Sequence, residues 1–300
     1  MGGRVSEIYN SLSEEEKNKN QKEYEQLLAA FMAILKNYPN AEKRNEAIED
    51  LMGLRAKFAI ERGIRAYGMT PTAAYELIKK DNDELSEKKR EKKMVITALI
   101  DNMIEFAVCE EYQLLQELPS VNENVNLDDE GLDWEDEEFA APYKERCKKY
   151  NNTFAAVENS DVEYAMKLAL IWLSYRKGVY LTYWTQNDHR VRPWHLALQG
   201  FTASKEEFPS WMIPPIEWAC RCYLVEDTEA RGAANSALKY VQAAADNEPE
   251  KPEQLDGIFK ESVCKGGRIF SDEHPYFDVS DDDISWLEGF VKNIREEYYG

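Results

Sequence analysis

The chain has 300 residues, 43% of them hydrophobic and 31% charged, with a formal net charge of -20. That length and balance suit a globular protein of one or two domains, and the absence of any apolar run near ~18 residues argues against a transmembrane helix. So much acid opposes a general nucleic-acid-coating role and leaves DNA contact as a local matter for single basic side chains.

The start, Met1 to Glu7, lacks the apolar core of a secretory signal. Gly2 with Ser6 fits a myristoylation pattern only loosely, and nothing else suggests a lipid anchor. The first 120 residues read as helical. Ser13 and Glu16 form a capping box before Leu27, Leu28, Phe31, Met32, Ile34 and Leu35 at helical spacing, and Pro39 ends that helix. A second helix is expected from about Ala41 to Tyr67, and Thr70-Pro71 opens a third. The charged run from Glu87 to Lys93 mixes both signs, so it reads as a solvated helix face in preference to a nucleic-acid patch. From Met94 to Leu118 the apolar period returns, with Cys109 expected as a buried thiol.

Residues 122–138 are acidic and do not follow the ligand order of an EF-hand. They read as a flexible linker. Ser160 and Glu163 look like a second capping box, opening an apolar helix that ends near Gly178. Val179–Trp184, Cys220–Val225 and Gly267–Phe270 are strand candidates, residues 228–245 look helical, and Ser280–Asp283 caps a last helix to about Tyr298. The expected fold is mostly α with a small α+β C-terminal module. Its parts are a helical N-terminal region over 1–120, an acidic linker over 121–158, and the α+β module with its C-terminal helix over 159–300.

The chemistry concentrates in one stretch. The three histidines are His189, His195 and His274, and two of them flank the turn Asp188-His189-Arg190-Val191-Arg192-Pro193-Trp194-His195. Cys220 and Cys222 follow, behind Pro214-Pro215. In a strand, residues two apart share a face, so both thiols could meet one ligand. His195, Cys220 and Cys222 are then three candidate zinc ligands, with Asp188, His189, Glu217 or His274 as a fourth. The alternative is a hydrogen-bonded structural turn, with Asp188 capping backbone N–H groups, Arg190 or Arg192 pairing with acids, and His195 satisfied in the core. A nuclease-like enzyme can also be built from Asp188, His189, His195 and His274 as acids and bases, with Arg190, Arg192 and Arg221 on phosphate and Lys265-Gly266-Gly267-Arg268 as a basic turn. No P-loop, His-Glu-x-x-His or Gly-x-Ser-x-Gly motif accompanies it.

The run Trp184 to Gly200 resembles the signature of phage Mu protein F-like minor head proteins: Trp, a polar turn, an Asp-x-Arg-Val-Arg segment, His195, then a short helix ending in Gly200. A second block, Trp211, Pro214-Pro215 and Cys220-Arg221-Cys222, and a third, Gly267–Phe270 with His274-Pro275-Tyr276, follow in the family's order. The resemblance spans about residues 176–278. Some members carry a Cys-x-x-Cys where this chain has Arg192 to His195, and a His near Glu217, so one thiolate and one histidine of such a set are missing here. The resemblance implies a head-morphogenesis protein of a tailed phage or prophage, found in the virion or in the host bacterial cytoplasm during assembly. It implies partners among the portal and the capsid or scaffold proteins, and no enzyme activity of the module itself. Nothing after residue 278 beyond one helix is expected, so no fused toxin or nuclease domain is read there.

Overall fold

The computed structural model describes residues 2–227 and 257–300, so the helix expected over 228–245 lies outside the described residues. Helices α1 (Gly2–Ser11), α2 (Glu14–Lys36), α3 (Ala41–Ala66), α4 (Pro71–Ile78) and α5 (Glu87–Glu117) come first. They are followed by α6 (Glu137–Lys148), α7 (Ala155–Ser174), α8 (Pro193–Leu198) and α9 (Ile284–Tyr299). The strands are β1 (Tyr180–Trp184), β2 (Thr202–Ser204) and β3 (Tyr223–Asp227). The protein is thus mostly helical, with a small antiparallel sheet in its C-terminal half.

Local signals place several of these ends. Ser13 and Glu16 exchange both hydrogen bonds of a capping box at the start of α2. Thr70 accepts from Ala73 N and Pro71 takes the first position of α4. The charged start of α5 is exposed, and two of its cations serve local carbonyls: Arg90 donates to Leu85 O at 3.0 Å and Lys93 to Lys80 O at 2.5 Å.

Other expectations give way to tertiary structure. Ser160 does not cap a helix; it lies inside α7, which already runs from Ala155 behind a π-helical turn, Lys149–Phe154. Gly267–Phe270 is no strand. Gly267 N bonds Ser262 O at 3.0 Å and Arg268 N bonds Glu261 Oε2 at 3.0 Å, so its donors are used in a turn instead of a ladder. The short strand β2 takes the third place in the sheet. Cys220 and Cys222 lie just before β3 and not within it. Cys109 is half-buried. Asp283 precedes α9 but makes no side-chain cap; its carboxylate accepts from the Tyr112 hydroxyl at 2.7 Å.

Two compact units emerge, each drawing on residues from both sides of the 121–158 segment. The first contains residues 1–62, 100–160 and 275–300. Its apolar core includes Phe31, Ile34, Leu51, Ile104 and Leu114, all fully buried. The acidic segment within it is a series of Asx turns, in which Asn122, Asn126, Asp129 and Asp133 each accept from the backbone N–H two residues on. Leu127 and Trp134 anchor it, Trp134 packing edge-on against Tyr143 at 5.1 Å between ring centroids.

The second unit contains residues 63–99 and 161–274. Helices meet closely at Gly63, where an added Cβ would lie 2.8 Å from Leu99 and 3.2 Å from Met166. The sheet order is β2-β1-β3, both pairings antiparallel, with Tyr183 opposite Leu224 and Thr182 opposite both Thr202 and Val225. The central strand buries Leu181, Thr182 and Tyr183 in succession, and the Thr182 and Thr202 hydroxyls bond at 2.8 Å. Tyr175 on the chain leaving α7 donates to Leu224 O at 2.8 Å, tying that chain to β3.

Candidate functional site

The site lies in the second unit, built from α7, α8 and the turn ahead of β3. Pro193 opens α8 at a position where its missing N–H costs nothing, and this sets His195 facing inward at 2% exposure. Gly200, at φ 89°, turns the chain from α8 back to the sheet, and its N–H bonds Tyr183 O at 2.9 Å. On the other side, the buried Pro214-Pro215 pair, joined by a cis bond, leads into a turn in which Cys220 N bonds Glu217 O at 3.1 Å.

That turn needs a left-handed residue, and Ala219 supplies it at φ 52°. Asp161 of α7 holds it there, both carboxylate oxygens accepting from Ala219 N at 3.0 Å. Burial pushes the Asp161 carboxyl well above its ordinary range, against the pull of that backbone bond. Tyr164 of α7 donates to Cys222 O. The two cysteines therefore reach one partner by a turn pinned from α7, and not by strand alternation.

The partner is His195. Its Nδ1 lies 3.3 Å from Cys222 Sγ and 3.8 Å from Cys220 Sγ, and both thiols are 3% exposed. Burial pushes the Cys220 thiol up, whereas bonds from the Cys220 and Tyr183 side chains, with Arg192 and Arg221 nearby, pull the Cys222 thiol down. The opposite ring nitrogen, Nε2, lies 3.1 Å from Glu217 Oε2. The same oxygen accepts from Trp194 Nε1 and from Arg192 Nε, each at 3.0 Å, and Arg192 also donates to Trp218 O at 2.6 Å. Among the described residues, His195, Cys220 and Cys222 form the one His/Cys/Asp/Glu group able to hold a metal ion.

The remaining motif residues stand apart from this cluster. Asp188 and Arg221 form a bidentate ion pair at 2.8 Å per bond, and Asp188 also accepts from Arg190 N at 3.0 Å. The guanidinium bonds hold the Asp188 carboxyl down at about 2. His189 and the Arg190 side chain are exposed. His274 is buried in an aromatic nest, its ring 5.6 Å from Trp218 and 5.8 Å from Phe270, and burial pushes its imidazole down to about 3. Lys265 donates to Glu206 O and Phe208 O. Sequence reasoning named Glu217 only among four candidate ligands and missed Asp161; the Asp161 signal was spent on an apparent capping box.

No curated protein and no solved structure matches the chain. One family model does, and its range differs from the resemblance read in the motifs. It begins upstream, before α6, and stops at Val225, leaving the Gly267–His274 block outside. Residues 135–225, which hold Asp161, Asp188, His195, Glu217 and both cysteines of the cluster, match the family described as phage Mu protein F like protein.

Proposed function

We propose that the protein is a minor head protein of a tailed phage or prophage, acting in head morphogenesis by docking on the portal and entering the procapsid. The observation that supports this is the match of residues 135–225 to the phage Mu protein F like family. In this reading the chain works in the host bacterial cytoplasm during assembly and then in the virion, with capsid or scaffold proteins as further partners. It contributes to assembly, packaging or ejection as a binding component and not as an enzyme. Two of the three arginines that a nuclease would aim at phosphate serve the fold here, Arg221 paired to Asp188 and Arg192 to Glu217.

The test is co-expression of the full chain with the portal protein encoded beside its gene. A tagged chain is expected to retain the portal through affinity purification and to co-sediment with it. Two folded proteins that elute separately at both low and physiological salt would remove portal docking from the reading.

A further inference from the structure

His195 makes two different kinds of contact through its two ring nitrogens, and their chemistry fixes its tautomer. Glu217 Oε2 is approached by the Arg192 guanidinium, the Trp194 N–H and His195 Nε2. A carboxylate held by a guanidinium only accepts hydrogen bonds, so Nε2 carries the proton. Nδ1 then turns its one lone pair toward two sulfurs, at 3.3 and 3.8 Å. One lone pair cannot accept two S–H bonds along its own direction. A single ion at the centre serves all three atoms.

The spacing agrees. Zinc bonds of about 2.3 Å to sulfur and about 2.0 Å to nitrogen at a tetrahedral angle place the N and S atoms about 3.5 Å apart. The two observed separations bracket that value, and all three donor atoms lie within 4.8 Å of one another. The charges also close. Two thiolates neutralise a divalent cation, and Glu217 and Arg192 neutralise each other beside it, which a buried site requires.

We infer that His195 Nδ1, Cys220 Sγ and Cys222 Sγ bind a zinc ion, with Glu217 as the outer carboxylate that orients the histidine. Two thiolates and an imidazole favour zinc over the oxygen-seeking cations, and a carboxylate on the distal ring nitrogen is the usual support of a ligating histidine. Among the described residues these three are the donors that come together. Ligands only 2–3% exposed make the centre a brace between α8 and the turn before β3. The inference stands on these contacts and not on head assembly, so its failure leaves the portal reading where it was.

The full chain, purified under reductant, is expected to carry one equivalent of zinc by mass spectrometry of the metals. After chelation it is expected to take up one equivalent of cobalt(II) with a thiolate-to-metal charge-transfer band that zinc displaces. Cys220→Ser with Cys222→Ser removes the band. Because that variant can fail to fold, Glu217→Gln supplies a second measurement. It leaves all three ligands, keeps the band at saturation, and weakens cobalt binding by about 10–100-fold. A reduced, folded parent with no thiolate band overturns the inference. So does a band that survives in the double serine variant, or a Glu217→Gln variant of unchanged affinity.

Discussion

Glu110, Glu111 and Glu158 are buried in the first unit around one guanidinium, that of Arg55. Arg55 reaches Glu110 at 2.7 Å, Glu158 at 2.9 Å and Asn159 at 3.2 Å, and Tyr276 donates to Glu158 at 2.9 Å. One cation cannot balance three carboxylates in a low-dielectric interior. Glu111 and Glu158 are both pushed to hold protons: burial first, then the Glu110 charge, raises each well above its ordinary value of 4.5, Glu111 against the Asn151 amide and Arg55. Cys147, raised by burial and by Glu111, adds no charge to help it. A carboxyl whose folded value exceeds its unfolded one stabilises the protein most below about 4.5, and that contribution is lost as pH rises through the folded value. Glu111→Gln cannot ionise and keeps an acceptor for Asn151. Its melting temperature is therefore expected to exceed the parent's at pH 8, with the gap closing toward pH 4. A gap of constant size across that range would mean that Glu111 does not hold a proton. None of this network was legible in the sequence, because Glu110, Glu111 and Glu158 look like the solvated acids of any helix until three distant segments bring them onto Arg55.

The helix starts at Ser13 and Thr70 were legible because each depends on atoms within three residues of the cap. The start at Ser160 misled for the same reason: the local pattern was present, but α7 had begun upstream and Asp161 had a tertiary task. Strand β1 was legible from its β-branched and aromatic run, whereas β2 is three residues whose pairing comes from β1. At the site, the sequence put His195 with Cys220 and Cys222 but attributed the meeting of the thiols to strand geometry. The turn at Ala219 does that work, and Asp161 holds the turn. Asp161→Ala is thus expected to cost about 1–3 kcal/mol in urea unfolding by leaving the Ala219 N–H without its acceptor. It should also weaken cobalt uptake at Cys220 and Cys222. Asp161→Asn retains an acceptor and removes the burial cost of a charge, so it should fold at least as well as the parent. Equal stability of the alanine variant and the parent would show that the turn holds itself.

At the scale of the whole chain, a net charge of -20 sets a repulsive field toward nucleic acid. Binding can overcome such a field only through a cluster of unengaged cations that displaces counterions from phosphate. The motif region once offered four, Arg190, Arg192, Arg221 and Lys265. The structure leaves only the Arg190 side chain exposed, because Arg192 serves Glu217 and Trp218 O, Arg221 is locked to Asp188, and Lys265 donates to two carbonyls. Within the motif region one exposed arginine against that field does not suffice, and the exposed cations at the start of α5 are interleaved with Glu87 and Glu91. The full chain is therefore expected to leave the fluorescence anisotropy of a labelled duplex unchanged at near-physiological salt up to about 100 μM, the weak end of ordinary non-specific binding. Lowering the salt should not rescue it, since dilution of ions lengthens the reach of the repulsion as well as of any attraction. A salt-sensitive anisotropy rise that disappears in Arg190→Ala would overturn this and return DNA handling to the motif itself. Without it, the motif region makes no DNA contact of its own.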